Sequence, residues 1–148
     1  MKKILLFSGL LLLLNSCATH TSFNSFYKKT HSESDFSLGL RTSLIRGFLP
    51  DEDLQEIKPL LKKAKHVRIL VFSKNAEEMN AKFDKFIKKS KFESLIKLKE
   101  DNSKIDFYLL ENKDKIKEIV LEISSDGNLV LLGLKTNIKQ EDLDSLLN

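Results

Sequence analysis

The segment IKEIVLEISSDGNLVLLGLKT, residues 116–136, decides the fold because it holds two apolar runs joined by a turn sequence. Ile119, Leu121 and Ile123 in its first half are two residues apart, as are the residues on one face of a strand. Asp126 and Gly127 lie between the two runs, and both residue types tolerate the positive φ angles of a tight two-residue hairpin. The segment therefore predicts two antiparallel strands, 116–124 and 129–136.

Upstream of this hairpin, two further strands are predicted at residues 95–99 and 105–111. The polar sequence DNSK lies between them, and NKDK lies between the second strand and the hairpin. Earlier still, Phe36, Leu38 and Leu40 alternate with small or polar residues and predict a half-buried strand. The run VRILVF is apolar at nearly every position, which favours an inner strand at 67–72.

Apolar residues at helical spacing predict helices between these strands and at the end of the chain. Pro59 removes a backbone hydrogen bond within one of the helices, so we expect a kink or a restart there. Asn75 and Glu78 have the spacing of a capping box at the start of another. The helices are expected at 44–49, 51–64, 75–89 and 140–147.

Together these elements predict an α+β fold. We expect an antiparallel or mixed sheet of about five to six strands that ends in a four-strand meander, with two to three helices on one face.

The N-terminus has the three parts of a secretory signal. Lys2 and Lys3 precede the uncharged run Ile4–Leu14, which is shorter than the roughly 20 residues of a membrane-spanning helix. The sequence LNSC at 14–17 then resembles a bacterial lipobox, in which the thiol receives a diacylglyceryl group. We expect a lipoprotein signal peptide at 1–16 and lipid attachment at Cys17; the alternative is ordinary cleavage after Ala18.

The next segment, 17–34, is rich in Ser and Thr and is interpreted as the lipidated cysteine and a tether, followed by a single α+β domain at 35–148. Phe23, Phe26 and Tyr27 nevertheless have helical spacing. A short helix is the alternative, with its aromatic side chains either against the edge of the domain or in the membrane interface.

Charge and composition argue against several function classes. The chain has 25 basic and 21 acidic residues, and the excess falls to about two once Lys2 and Lys3 are removed with the signal. So small an excess, without an aromatic and basic motif, argues against nucleic-acid binding. Because Cys17 is the only cysteine, no intramolecular disulfide is expected.

Residues with catalytic or metal-binding chemistry are few. The histidines are His20, His31 and His66; we expect His66 beside a helix C-terminus, where a cation is favoured. His31 with Glu33 and Asp35 is a weak candidate for a metal site and is not favoured. We therefore predict no enzyme activity, no catalytic residue, no metal and no cofactor.

Lysines recur on two predicted helix faces. The ordinary interpretation is a solvated face, and the alternative is attraction to anionic lipid headgroups. The two sets are Lys58, Lys62 and Lys65, and Lys82, Lys85 and Lys89.

One face of the meander is a candidate partner surface. The core face is predicted to hold Ile105, Phe107, Leu109, Ile119, Leu121 and Ile123. Apolar residues also point away from that face, which would form an interaction surface unless a helix or the N-terminal segment covers them. These residues are Tyr108, Leu110, Val120, Val130 and Leu132.

The order of these features resembles the small lipoproteins of domain-of-unknown-function family 4252, typical of Bacteroidetes. The resemblance is carried by the lipobox and by FYKK, DFSLGL, VRILVFS, IDFYLLEN and IKEIVLEIS; Pro59 within a helix departs from it. It implies a lipid-anchored envelope protein and transfers no catalytic residue. In that phylum acidic residues soon after the cysteine are associated with surface display, and 18–21 contains none, so we expect the periplasmic side of the outer membrane.

The leading hypothesis is a non-catalytic accessory module that binds an envelope protein and is held to membrane lipid by acylated Cys17. The alternative is a periplasmic carrier or sensor of a small apolar ligand or lipid.

Overall fold

The computed structural model describes residues 22–45 and 58–147. Predictions that fall on the signal segment, on Cys17 and on residues 46–57 lie outside the described residues. The helices are α1 (Phe23–Thr30), α2 (Thr42–Ile45), α3 (Lys58–Lys63), α4 (Ala76–Lys89) and α5 (Gln140–Leu147). The strands are β1 (Phe36–Arg41), β2 (His66–Phe72), β3 (Glu93–Glu100), β4 (Ser103–Asn112), β5 (Lys115–Ser125) and β6 (Asn128–Lys139).

The strands form one antiparallel sheet of six strands in the order β1-β2-β6-β5-β4-β3. The last four strands are the predicted meander, and β2 lies between β1 and β6 as an inner strand. The predicted α+β class is therefore confirmed. β1 and β3 are the edge strands.

Tight turns join the strands of the meander where the sequence predicts them. Asp126 and Gly127 have φ angles of 48° and 78°, which is the left-handed geometry of a primed hairpin turn. Lys113 and Asp114, with φ angles of 51° and 58°, form a second turn of this kind between β4 and β5. The primed turns match the right-handed twist of the flanking strands and so fix their register.

Helices pack on both faces of the sheet, whereas the sequence predicts them on one. α1 and α4 cover one face, where Phe23, Phe26, Met79 and Phe83 pack on side chains of the sheet, including Tyr108. We call this the covered face. On the other face, Leu61, Ala64 and Leu143, in or next to α3 and α5, cover one end and pack with Leu109, Ile119 and Leu134.

The N-terminal aromatic residues belong to the core of the domain. Phe23 and Phe26 are buried in α1 and pack against Phe83 of α4. The prediction of a tether through residue 34 is therefore wrong for α1, and the alternative of a helix packed on the domain is correct. Burial of two aromatic side chains explains why this polar, Ser-rich segment is ordered.

Gly133 of β6 makes room for α1. A Cβ atom on Gly133 would lie 2.0 Å from Cδ1 of Phe23, which no pair of nonbonded carbon atoms tolerates. The ring of Phe23 therefore lies directly on the backbone of β6.

Two local predictions have different outcomes. The described part of α3 spans Lys58–Lys63 and includes Pro59, but the residues before it lie outside the described part of the chain, so the expected kink or restart at Pro59 stays a prediction. Asn75 precedes α4 but makes no side-chain cap, and its Nδ2 donates 3.3 Å to the carbonyl oxygen of Glu33. The predicted capping box is therefore absent. In the described part of the chain, no helix is long and apolar enough to cross a membrane.

Candidate functional site

The predicted interaction surface is divided between the two faces. Tyr108, Leu110 and Val120 are buried beneath α1 and α4, so the alternative that a helix or the N-terminal segment covers them is correct. Val130 and Leu132 lie on the opposite face and are half-buried. Alternation shows which residues share a face, but not which face the helices cover.

The surface that the described helices leave open consists of two apolar rows across all six strands. Directly paired residues share a face, so the register defines each row. One row is Phe36, Val71, Val130, Ile123, Ile105 and Leu98, and the other is Leu38, Ile69, Leu132, Leu121, Phe107 and Ile96. We call these residues the open face.

Every residue of the open face is apolar, and none is buried. Phe36 and Leu98, at the two ends of one row, are each 52% exposed, and Ile96 is 39% exposed. Six strands about 4.8 Å apart make the rows roughly 24 Å long. A contiguous apolar surface of this extent is typical of a binding surface.

The rim of the open face is acidic at one end. Asp101 and Asp126 lie in the β3–β4 and β5–β6 turns, at the end of the sheet next to the row that contains Leu98 and Ile123. Both carboxylates are on exposed residues. Two carboxylates therefore lie at this end of the sheet, where Lys74 is also exposed.

A polar cluster lies on the covered face, among apolar residues. Asp106 and Glu122 are 1% and 0% exposed and share one tyrosine, because the hydroxyl of Tyr108 lies 3.0 Å from Asp106 Oδ2 and 2.9 Å from Glu122 Oε2. Lys104 Nζ lies 3.0 Å from Asp106 Oδ2 and 3.2 Å from Glu122 Oε1. We call these four residues the carboxylate cluster.

The chemistry of the carboxylate cluster is that of a structural network. Burial and then the adjacent Glu122 carboxylate raise the pKa of Tyr108, so the phenol stays protonated and donates. Burial lowers the pKa of Lys104, but hydrogen bonding to Asp106 and the charge of Glu122 outweigh it, and the pKa lies above its usual value. The two carboxylates are buried and link β4 to β5 through Tyr108 and Lys104.

A signal for this cluster exists in the sequence. Lys104, Asp106 and Tyr108 alternate along one strand, and Glu122 falls opposite Asp106 once the hairpin register is known. Two acidic residues on a face with Tyr108 and Val120 indicate buried charges, which need partners.

A buried carboxylate also holds α1 in place. Ser22, at the N-cap, makes no side-chain cap, and Glu118 Oε2 instead accepts a 2.7 Å hydrogen bond from the backbone N–H of Phe23. Burial raises the pKa of Glu118, although this hydrogen bond and the charges of Lys135 and Arg68 oppose the shift.

We expect the wild-type protein to lose more stability than the Glu118→Gln variant as pH rises from 4.5 through the raised pKa of Glu118. The Glu118 carboxyl binds its proton more tightly in the folded protein than in the unfolded chain, so its contribution to the unfolding free energy decreases as pH rises from 4.5 through the raised pKa. The slope is at most about 1.4 kcal/mol per pH unit. Glutamine keeps the acceptor for Phe23 N–H but does not ionise.

Urea denaturation of both proteins at a series of pH values measures this slope. Glu111→Gln, a change at an exposed residue, is the matched control and should leave the slope unchanged. Identical slopes for the wild-type and Glu118→Gln proteins would contradict the prediction.

The histidine and acidic residues near the N-terminus do not converge on one point. The Nδ1 atom of His31 lies 3.1 Å from the carbonyl oxygen of Lys28, and Glu33 pairs with Lys82 at 3.0 Å. Asp35 Oδ2 accepts a 2.7 Å hydrogen bond from Ser73 N, which lowers the pKa of Asp35. His66 is the first residue of β2 and does not lie at a helix end.

The α4 lysines line a cleft. Between α1 and α4 lies a cleft of about 420 Å³ lined by Lys29, Lys82, Lys85, Lys89 and Phe86, among others. Lys82 is paired there with Glu33 and Glu78, each at 3.0 Å. The positive charge of the α4 lysines is therefore partly neutralised by these two glutamates.

Comparison with known proteins identifies the family. A family model described as "Domain of unknown function (DUF4252)" matches residues 40–146. The chain belongs to this family. No curated protein and no solved structure matches the chain.

The DUF4252 match begins in β1 and ends in α5. It therefore includes the carboxylate cluster and the open face apart from Phe36 and Leu38. α1, whose aromatic residues complete the core of the covered face, precedes it.

Proposed function

We propose that this DUF4252 protein is a non-catalytic module that binds an envelope protein through its open face and is anchored to the membrane by acylated Cys17. The observation that carries the proposal is the pair of apolar rows that cross all six strands without a buried residue. Natural monomers rarely expose so continuous an apolar surface unless something binds it.

The shape of the open face favours a protein over a small ligand. Small-molecule sites are concave and bury most of the ligand surface, whereas this surface is one side of a pleated sheet. The carboxylates of Asp101 and Asp126 favour a partner surface that is apolar at its centre and basic at its rim. Such a surface matches the open face in both polarity and charge.

The anchor supports the same proposal. Phe23 lies six residues after Cys17, a distance of at most about 20 Å of extended chain. α1 lies on the covered face, so the lipid would lie on that side of the sheet. The open face would then point away from the lipid, toward the aqueous phase. We propose that this aqueous phase is the periplasm and that the anchor lies in the outer membrane.

The test begins with the anchor. In cells grown with an alkyne fatty acid, the wild-type protein should be labelled and should sediment with membranes, whereas Cys17→Ser should be unlabelled and soluble. Two acyl chains give stable anchoring, so the expected loss from the membrane fraction is nearly complete. An unmodified Cys17 in the native protein would contradict the anchor.

The same cells test the open face. A photo-crosslinking residue in place of Ile96 should give one protein adduct, and adding Leu98→Lys should reduce its yield at least tenfold, about 1.4 kcal/mol of binding free energy. Leu44→Lys is the matched control, because Leu44 is also 52% exposed but lies in α2, outside the sheet. Both lysine variants should keep the melting temperature of the parent protein.

Three results would contradict the proposal. They are adducts with this chain alone, adducts with lipid alone, and an equal loss of adduct in the two lysine variants. An adduct with lipid alone would favour the carrier of an apolar ligand instead.

A further inference from the structure

A row of cations crosses the covered face beyond the end of the core. Arg41, His66 and Lys135 are directly paired across β1, β2 and β6, so their side chains are neighbours. Arg68 lies two residues further along β2 on the same face. Glu118 of β5 is paired with Lys135 and continues the row, which therefore holds two permanent cations, His66 and one carboxylate.

The row forms one wall of a cleft beneath α1. The cleft has a volume of about 380 Å³, and its lining includes Tyr27 and Lys28 of α1, Gly39 and Arg41 of β1, and His66 and Arg68 of β2. The guanidinium carbon of Arg68 lies 5.9 Å from the centroid of the Tyr27 ring. A Cβ atom on Gly39 would lie 3.1 Å from the Tyr27 hydroxyl, so glycine leaves room for this phenol. We call this site the basic cleft.

The positive charge of the basic cleft is not balanced within the described part of the chain. Ion pairs within 4.0 Å engage Lys74, Lys82 and Lys104, but neither arginine of the cleft. Glu118 is the nearby carboxylate that attracts Arg68 and Lys135, and it already accepts from Phe23 N. One buried carboxylate therefore faces several cations.

His66 adds an unsatisfied polar atom to this site. Its Nδ1 is buried and has no hydrogen-bond partner among the described residues. Burial lowers the pKa of His66, and the charges of Arg68, Arg41, Lys135 and Lys65 lower it further. These four residues are the cations around the ring, and the neutral ring keeps one N–H to donate.

We propose that the basic cleft binds a phosphate group through Arg41, His66 and Arg68. Guanidinium groups match the oxygens of phosphate as paired donors, and a doubly charged anion would balance the row better than a carboxylate. Tyr27 forms an aromatic wall beside Arg68. The site is separate from the open face, which lies on the other side of the sheet.

The phosphate group belongs either to a soluble molecule or to a lipid headgroup. A headgroup is a candidate because α1 is the element nearest to the proposed anchor.

The full chain in neutral detergent is titrated with inorganic phosphate and glycerol phosphate while the His66 ring is followed by NMR. Vesicles of phosphatidylcholine with and without phosphatidylglycerol form the second arm. We expect saturable binding in at least one arm, with a dissociation constant below about 1 mM.

Arg68→Gln and Arg41→Gln should each weaken this binding at least tenfold, and Arg41→Lys, which keeps the charge but loses the paired donors, should weaken it less. Lys74→Gln is the matched control; it removes the same charge from a side chain that is 90% exposed and lies outside the cleft. Melting temperatures verify that each variant is folded.

Saturation by soluble phosphate assigns the site to a free phosphate compound, and a response to phosphatidylglycerol alone assigns it to a headgroup. No response in either arm overturns the proposal. An equal weakening by Lys74→Gln also overturns it, because binding would then follow overall charge alone.

Discussion

Gly133→Ala is expected to lower the free energy of unfolding by about 3 kcal/mol, at the upper end of the usual cost of overpacking. The added methyl would lie 2.0 Å from Phe23 Cδ1, so the ring must move. The ring also packs against Phe26 and Phe83, with centroids 6.2 and 6.5 Å away. α1 therefore has to shift away from the sheet as a unit.

Urea denaturation of single and double variants measures this effect. Phe23→Ala alone should cost about 3–5 kcal/mol, and adding Gly133→Ala to it should cost little more, because the conflicting ring is gone. Gly39→Ala is the control, since its nearest contact is the Tyr27 hydroxyl at 3.1 Å, and it should cost less than Gly133→Ala. Additive losses for Phe23→Ala and Gly133→Ala would show that the two positions do not conflict.

Tyr108→Phe is expected to cost about 3 kcal/mol, even though it removes one oxygen atom. The hydroxyl has one proton, which lies between two carboxylates that are almost fully buried, and a hydrogen bond to a charged group contributes about 1.5–3 kcal/mol. Asp106 Oδ1 already has no hydrogen-bond partner among the described residues, so the network has no spare donor. Removal of the tyrosine hydroxyl leaves Lys104 as the cation between two acidic side chains.

Tyr27→Phe is the matched control for this prediction, since the chain has two tyrosines. The Tyr27 side chain is half-buried, and its hydroxyl makes no hydrogen bond to a described residue, so this change should alter stability by less than about 0.5 kcal/mol. Thermal and urea unfolding of both variants give the comparison. Equal stabilities for the two variants would refute a special role for the Tyr108 hydroxyl.

Local patterns in the sequence predict most of the elements of this fold. Alternation and the Asp126-Gly127 turn predict the meander because the signals lie within a few residues of one another. The last helix is found at Gln140–Leu147, where its spacing predicts it. β2 is an inner strand, as its continuous apolar run indicates.

The candidate sites depend on contacts that local patterns do not contain. The sequence does not show where α1 and α4 would pack, so it could not decide which of the five candidate surface residues are covered. The spacing of Phe23, Phe26 and Tyr27 left packing on the domain and insertion into the membrane interface open, and the contacts with Gly133 and Phe83 decide for the domain. The basic cleft joins β1, β2 and β6, so its row of cations exists only once the register is known.

The hydrogen bond between Phe23 and Glu118 joins residues 95 positions apart, which bears on the order of assembly. A polypeptide made from its N-terminus exposes Phe23 long before β5 and β6 exist to receive it. In a chain exported as we propose, the leading residues therefore remain unfolded during translocation, and Cys17 stays accessible to the modifying enzymes. Docking of α1 would then be a late event in maturation, after acylation.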